Sequence, residues 1–360
     1  MYYKEDWEKS VERYKALWEC EIVDRCCVSV TSFRRGYEKR ALSSSTPDAT
    51  TLFFRNRRDP EAAFKECKEN FESLFFGGDA VPQVWFNYGP AGLAAHYTDF
   101  KVDGTTTWYD PIINDWDSDI HKLESMNSFL DEQLEMAKYL VTEGKDLFLV
   151  STPDNAGVLD ALAALRGSGD LLADMLEKPE IVHTAVSKLM DTWLYANDRF
   201  YDITSSNGQK GSSIGWLSIW APGKLSQLQS DISVMISNDM FRDFVVPELT
   251  RCSESQDYSL YHFDGIEQVR HLDDLLSIPE IGMIQWTSVV GQPDYMHNID
   301  TLKRIQAAGK GLLVNGVHPK DIETLMENLS HRGLIISTGV ETQDEAEAVV
   351  QKVAKLTCDR

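Results

Sequence analysis

The chain has 360 residues, 42% of them apolar, which suits one large domain or two ordinary ones with a sizeable core. Its 57 acidic residues outnumber the 35 basic ones, and a net charge of −22 repels a phosphate backbone and an anionic membrane surface, so neither nucleic acid nor membrane is expected as a partner. There is no apolar run of the roughly 18 residues a membrane span needs, and the N-terminal MYYKEDWEKSVERYK is amphipathic without the apolar core of a signal peptide, so a cytoplasmic location is expected.

An opening helix is expected from about Tyr3 to Glu21, then the strand-like run IVDRCCVSVTSF. Cys26 and Cys27 lie in that run, where their side chains point to opposite faces and fill core. With Cys20, Cys67, Cys252 and Cys358 they form no CxxC pair, so reduced structural thiols are expected rather than a zinc ribbon or disulfide framework. Further strand-like runs follow at DAVPQVWFNY, KDLFLVS, SSIGWLSIW, SLYHFDG, IGMIQWT, KGLLVNGV and GLIISTGV. Helical spacing fills the intervals: Asp59 to Phe76, Glu132 to Gly144, Pro179 to Ser206, Asn238 to Asp257, Val269 to Leu276, Tyr295 to Ala308, Pro319 to His331 and Thr342 to Leu356. Continuous apolar strands that alternate with helices imply a parallel sheet covered by helices. About eight such units favour an α/β fold of the (β/α)8 TIM barrel type, one domain over residues 1–360 with an N-terminal helical extension. The long polar connections Arg34 to Arg58 and Val102 to Ser128 are expected to cap the strand ends. No GxGxxG or GxxxxGK[ST] stands at a strand-to-helix turn, which removes the usual nucleotide-binding alternatives.

In such a fold the chemistry lies at the C-terminal strand ends. The polar and aromatic residues there are Thr31, Asn87, Tyr88, Thr152, Asp154, Trp216, Ser218, Trp220, His262, Asp264, Gln285, Trp286, Thr287, Asn315, Ser337, Thr338 and Glu341. His262 and Asp264 are two positions apart on one strand, so both side chains project to the same side and can reach one ligand. They read as two metal ligands, as a proton-transfer pair, or as a hydrogen-bonded strand end with a turn cap. Trp216 and Trp220 read equally as walls for a flat substrate or as barrel filling. Asp79 reads as a turn residue at the opposite face, and Asp231 as a solvated or capping residue that could reach the mouth from a loop. The basic cluster Arg34, Arg35, Arg40, Arg55, Arg57 and Arg58 reads as a solvated charged loop or as a lid that attracts a carboxylated or phosphorylated group.

From about Asp59 onward, the ordered segments FGGDAVPQVWFNYGPAGLAAHY, LAALRGSGDLLADMLEKPEIV, QLQSDISVMISNDMFRDFVVPEL, SLYHFDG, GMIQW, AAGKGLLVNGVHPKDIETLME and GLIISTGVE resemble the uroporphyrinogen decarboxylase superfamily, which includes corrinoid-linked methyltransferases. The resemblance implies a (β/α)8 barrel. Thiol-activating members carry His-x-Cys where this chain has His262 and Asp264, and a further cysteine near Val340. A thiolate-rich zinc site is therefore not expected, and a harder set, His262 and Asp264 with Glu341, stands as the candidate that the resemblance leaves open. The decarboxylase branch has an arginine-rich turn after its first strand, which Arg34 and Arg35 echo in part.

Three readings follow. The leading one is a methyltransferase-like enzyme moving a methyl group from a small methylated compound to a corrinoid on a partner protein, with zinc or His262 itself as the electrophile and with Asn87, Tyr88, Trp216, Trp220, Gln285 and Trp286 around the substrate. The second is a decarboxylase acting on a carboxylated substrate held by Arg34 and Arg35. The third is a barrel that binds a small molecule without turnover.

Overall fold

The structure is a computed structural model and describes residues 1–37, 53, 55–85, 92–103, 106–155, 157–206, 210–289 and 291–358. Its centre is a seven-stranded sheet whose strands lie, in spatial order, at Leu74–Gly78 (β2), Cys27–Phe33 (β1), Leu334–Thr342 (β13), Gly311–Val314 (β12), Met283–Thr287 (β11), Tyr258–Asp264 (β10) and Leu225–Leu228 (β9). All neighbours pair in parallel except β2, which runs antiparallel to β1. Three short pairs stand outside this ladder: Gln83–Val84 (β3) with Leu149–Val150 (β6), Phe100–Asp103 (β4) with Thr106–Tyr109 (β5), and Ser212–Ile214 (β7) with Ile219–Ala221 (β8).

The fold is thus mixed α/β with a mostly parallel sheet, and the closed eight-stranded ladder expected from the sequence does not form among the described residues. Part of the reason lies in SSIGWLSIW. It does not run as one strand, because the chain turns at Gly215–Leu217, with Ser218 at φ 49, and doubles back as an antiparallel pair. The place beside β10 is taken by LSQL of β9, a segment whose alternation of apolar and polar residues is short but regular.

Parity along the strands sorts the side chains into two faces. Val28 and Val30 of β1, Phe263 of β10, Trp286 of β11, Val314 of β12 and Ile336 of β13 join the large cluster packed by helices. Those helices include Val158–Arg166 (α2), Pro179–Ser206 (α3), Val246–Glu254 (α4), Ile299–Ala307 (α5), Ile322–Asn328 (α6) and Gln343–Leu356 (α7). The bounds of α3 coincide with the helix expected from spacing, and α7 opens with a capping box between Thr342 and Glu345.

The opposite face is layered. Its first layer is apolar, Cys27, Leu225, Leu260, Met283, Leu313 and Ile335, and is closed from below by Tyr14 and Leu17 of the first helix, Trp7–Trp18 (α1). Two residues further along each strand the same face carries Ser29, Gln227, His262, Gln285, Asn315 and Ser337. Apolar packing holds the bottom and polar groups converge at the C-terminal ends, so the strand-end site rests on a rigid floor.

At the opposite end Asp79 is fully buried, reached through Gly78, whose φ of +62 and close approach to Val28 O, 2.2 Å from where a Cβ would stand, admit no side chain. Among the described residues no helix is long and apolar enough to cross a membrane.

Candidate active site

His262 is mostly enclosed, its side chain 12% exposed. Its Nδ1–H donates to Gln285 Oε1 at 2.5 Å, and Gln285 Nε2 donates to Thr287 Oγ1 at 2.7 Å. Because an amide oxygen can only accept, this bond places the ring proton on Nδ1 and leaves the Nε2 lone pair available. That nitrogen lies 4.0 Å from Asp264 Oδ1. The Trp216 ring stands edge-on to the imidazole, with centroids 4.9 Å apart and an interplanar angle of 88°.

A second arm arrives along β9 and its extension. Trp216 Nε1 donates to Gln227 Oε1 at 2.5 Å, Gln227 Nε2 donates to Gln229 Oε1, and Gln229 Nε2 donates to Asp231 Oδ2 at 3.1 Å. Gln227, Gln229 and Asp231 share parity, so the strand's own geometry passes orientation from the tryptophan to the carboxylate. One donor atom from each of Asp231, His262 and Asp264 lies within 4.8 Å of the others.

The segment carrying Asp231 is pinned from behind. Asp160, in the first turn of α2, accepts from the backbone N–H groups of Asp231 at 2.9 Å and Ile232 at 2.8 Å. The buried Glu248 of α4 accepts from Val158 N at 2.7 Å and Leu159 N at 3.0 Å, so it supplies the acceptors that the start of α2 needs. Gln268 donates to Ser230 O at 3.1 Å and accepts from Asp264 N at 3.3 Å, which ties the ends of the two arms together.

Negative charge accumulates here around His262. Among the described residues no lysine or arginine forms an ion pair with Asp231 or Asp264. Although Asp231 reaches solvent at the rim, the protein around its carboxyl and then the Asp160, Asp264 and Asp154 carboxylates push it up to about 8, against the Gln229 hydrogen bond. Burial also raises Asp160, while its backbone hydrogen bonds and the nearby His262 pull it down.

Of the residues singled out from sequence, His262, Asp264, Gln285 and Trp216 are brought together. Glu341 is not: it is exposed at the end of β13 with its backbone N–H donating to Glu345 at 3.2 Å, and the third carboxylate of the cluster is Asp231. Trp286 has the parity of Phe263, against which it stacks at 5.4 Å, so it lies in the helix-covered core instead of the site. Trp220 is buried at the floor, edge-on to Trp7 of α1 at 5.6 Å.

Arg35 is exposed and paired with Asp344 at 2.6 Å and Glu347 at 2.8 Å on α7, and Arg34 donates to Leu74 O at 3.3 Å. Arg55 pairs with Glu66, and Arg57 and Arg58 pair with Glu132, so these arginines of the first connection are spoken for at the surface. Asn87, Tyr88 and Arg40 lie outside the described residues. Asp231, read from sequence as a solvated or capping residue that could reach the mouth from a loop, does reach it, whereas Gln227, Gln229 and Asp160 were not expected in the site. The period-two run of polar residues in QLQSD was the available signal for the first three, whereas Asp160 arrives from a distant helix and left none.

Beside this cluster a cavity of about 340 Å³ opens among the strand ends, with Trp216 as the shared wall. Thr31, Asn315, Ser337 and Thr338 contribute its polar edge, and Phe71 and Phe76 an apolar one.

No known protein family's sequence profile matches the chain, and no curated protein does. Among solved structures it is similar to a methyltransferase from Methanosarcina mazei, with a TM-score of 0.60 over 96% of this chain and 98% of that one. The two sequences are 13% identical, so the likeness is one of fold.

Proposed function

We propose that the chain is a methyltransferase-like enzyme of the uroporphyrinogen decarboxylase superfamily, a cytoplasmic single-domain barrel whose β3–β6 and β7–β8 pairs stand as its remaining staves. It moves a methyl group from a small methylated compound to a corrinoid carried on a partner protein. The observation that carries this reading is the convergence of Asp231, His262 and Asp264 within 4.8 Å at the C-terminal strand ends. The full-length likeness to a methyltransferase fold supports it.

The donor set fits a divalent cation of zinc's borderline character. An imidazole nitrogen with its other nitrogen held by an amide, together with two oxygen donors not paired to any arginine or lysine among the described residues, is the chemistry such an ion takes. When bound, such an ion supplies Lewis acidity toward the heteroatom that leaves the methyl group. The chain's own residues do the rest. Gln285 fixes the imidazole tautomer, Gln229 orients Asp231, and the Asp160 and Glu248 brace holds the Asp231 segment against α2.

The methyl–heteroatom bond breaks with its electron pair on the leaving atom while the methyl group is taken up by the acceptor. The leaving atom then needs a proton, which solvent supplies where His262, Asp231 and Asp264 would hold the ion; in the metal-free alternative Asp231, whose carboxyl is pushed up to about 8, is the acid placed to give it.

A decarboxylase reading needs cations on the substrate, and Arg34 and Arg35 face Leu74 O and α7 instead of the His262 cluster. The test is to incubate the zinc-loaded chain with reduced corrinoid and a panel of methylated alcohols, ethers and amines. Methylation of the corrinoid that is lost in His262→Ala supports the proposal. Release of carbon dioxide from a carboxylated substrate, with no methyl transfer, overturns it.

A further inference from the structure

The hydrogen bonds that reach Asp231 can run in one direction only, and the residue that sets the direction is Trp216. An indole N–H donates and never accepts, whereas an amide side chain presents an oxygen at one end and an NH₂ at the other. Trp216 Nε1–H therefore requires the oxygen of Gln227, which it meets at 2.5 Å. That turns the Gln227 amide nitrogen toward Gln229, which must answer with its own oxygen, and Gln229 Nε2 is left to donate to Asp231 Oδ2 at 3.1 Å. No other order is available, since reversing it would set an amide NH₂ against the indole N–H. Gln229 is only 4% exposed, which keeps water from replacing its partners. Asp231 Oδ1 accepts no hydrogen bond among the described residues, so it is the oxygen left free for an ion. The same indole stands edge-on to the His262 ring at 4.9 Å. A single side chain thus bears on the imidazole directly and on the carboxylate through two glutamines.

We infer that Trp216 is a positioning residue for the ion site: its N–H fixes the amide chain so that a donor holds Asp231 Oδ2 and Oδ1 is presented to the cation. This deepens the methyltransferase reading and rests on it, because the cation is the one that reading requires. Without the N–H, both amides are free to turn over, which brings Gln229 Oε1 against the carboxylate. Two oxygens then face each other, and their repulsion moves the carboxylate out of place.

Trp216→Phe keeps a ring against His262 and removes the N–H. Zn²⁺ is titrated calorimetrically into the metal-stripped full chain, and Co²⁺ binding is followed by its visible absorption, which reports the ligands about the ion. Affinity is expected to fall about fivefold or more in Trp216→Phe, with an altered Co²⁺ spectrum. Gln229→Met should show a similar loss, and the double variant no more than either single one, because both substitutions break the same chain. Losses that add would make Trp216 a wall or packing for His262 and overturn the inference, as would wild-type affinity in Trp216→Phe. Should that variant fail to fold, Gln227→Met breaks the chain at a half-buried link and leaves the indole ring in place. A comparable loss there supports the inference, and wild-type affinity overturns it. If the wild type binds neither ion, the metal reading falls and the inference with it; if it binds and the variants match it, the inference alone falls.

Discussion

Two carboxylate centres, one buried and one at the solvent rim, occupy opposite ends of the same sheet and are built on opposite principles. Beside the N-terminal end of β1, Asp79 is surrounded by donors: Arg25 at 2.6 and 3.1 Å, Arg13 and Ser10 each at 3.2 Å, and Val28 N at 3.1 Å. At the C-terminal ends, Asp231 and Asp264 face His262 with glutamines for neighbours and no arginine or lysine ion pair among the described residues. The first arrangement is complete within the chain and serves stability. The second concentrates negative charge that a folded protein otherwise avoids, and such an arrangement is characteristic of a site that handles a cation or a proton.

The largest effect should come from Asp79→Ala. Removing it leaves Arg25 buried and uncompensated, while Arg13 keeps its pair with Asp24, so urea unfolding should show a loss of about 3–5 kcal/mol. Asp264→Ala, in contrast, removes a carboxylate with no cationic partner, and its change should stay within about 1 kcal/mol. Equal losses in the two variants would break the contrast.

A pH series sharpens it further. Burial pushes Glu248 up to about 8, with its bonds to Val158 and Leu159 pulling the other way and Asp160 adding to the rise. A carboxyl raised in the folded state holds its proton where the unfolded chain has lost it. Its stabilising contribution is therefore complete below the ordinary value near 4.5 and is lost as pH rises toward about 8. The Glu248 share of the slope should not exceed about 1.4 kcal/mol per pH unit, and Glu248→Gln should remove that share in thermal melts between those limits, leaving what Asp231 adds. A wild-type melting temperature that climbs steadily across that range, unchanged in the variant, would contradict the burial argument.

The smallest effect is expected at Arg35. Its pairs with Asp344 and Glu347 are exposed, so Arg35→Ala should leave the urea midpoint essentially unchanged and ligand and metal binding as in the wild type.

Much of this was legible in the sequence, and the pattern of what was not has physical causes. The alternation of apolar runs and helices identified five of the seven strands, β1, β10, β11, β12 and β13, while β2 fell mostly within an expected helix and β9 in no expected run; the i, i+2 spacing of His262 and Asp264 put both on one face as observed. The same parity rule, applied to Trp286, would have placed it with Phe263 in the core, because the register pairs the two residues directly. Trp220 was lost to a turn: a left-handed Ser218 in the middle of an apolar run reverses the chain and sends the tryptophan to the floor. Glu341 and Asp231 were indistinguishable as loop carboxylates, since only the packing of Asp160 against the backbone of Asp231 brings the latter to His262.

The most direct test is calorimetric titration of Zn²⁺ or Co²⁺ into the metal-stripped chain. One equivalent should bind the wild type, none should bind His262→Ala, Asp231→Asn should weaken binding by about tenfold or more, and Glu341→Gln should match the wild type. Failure of the wild type to bind either ion, or a dependence on Glu341 in place of Asp231, would contradict the account of this site.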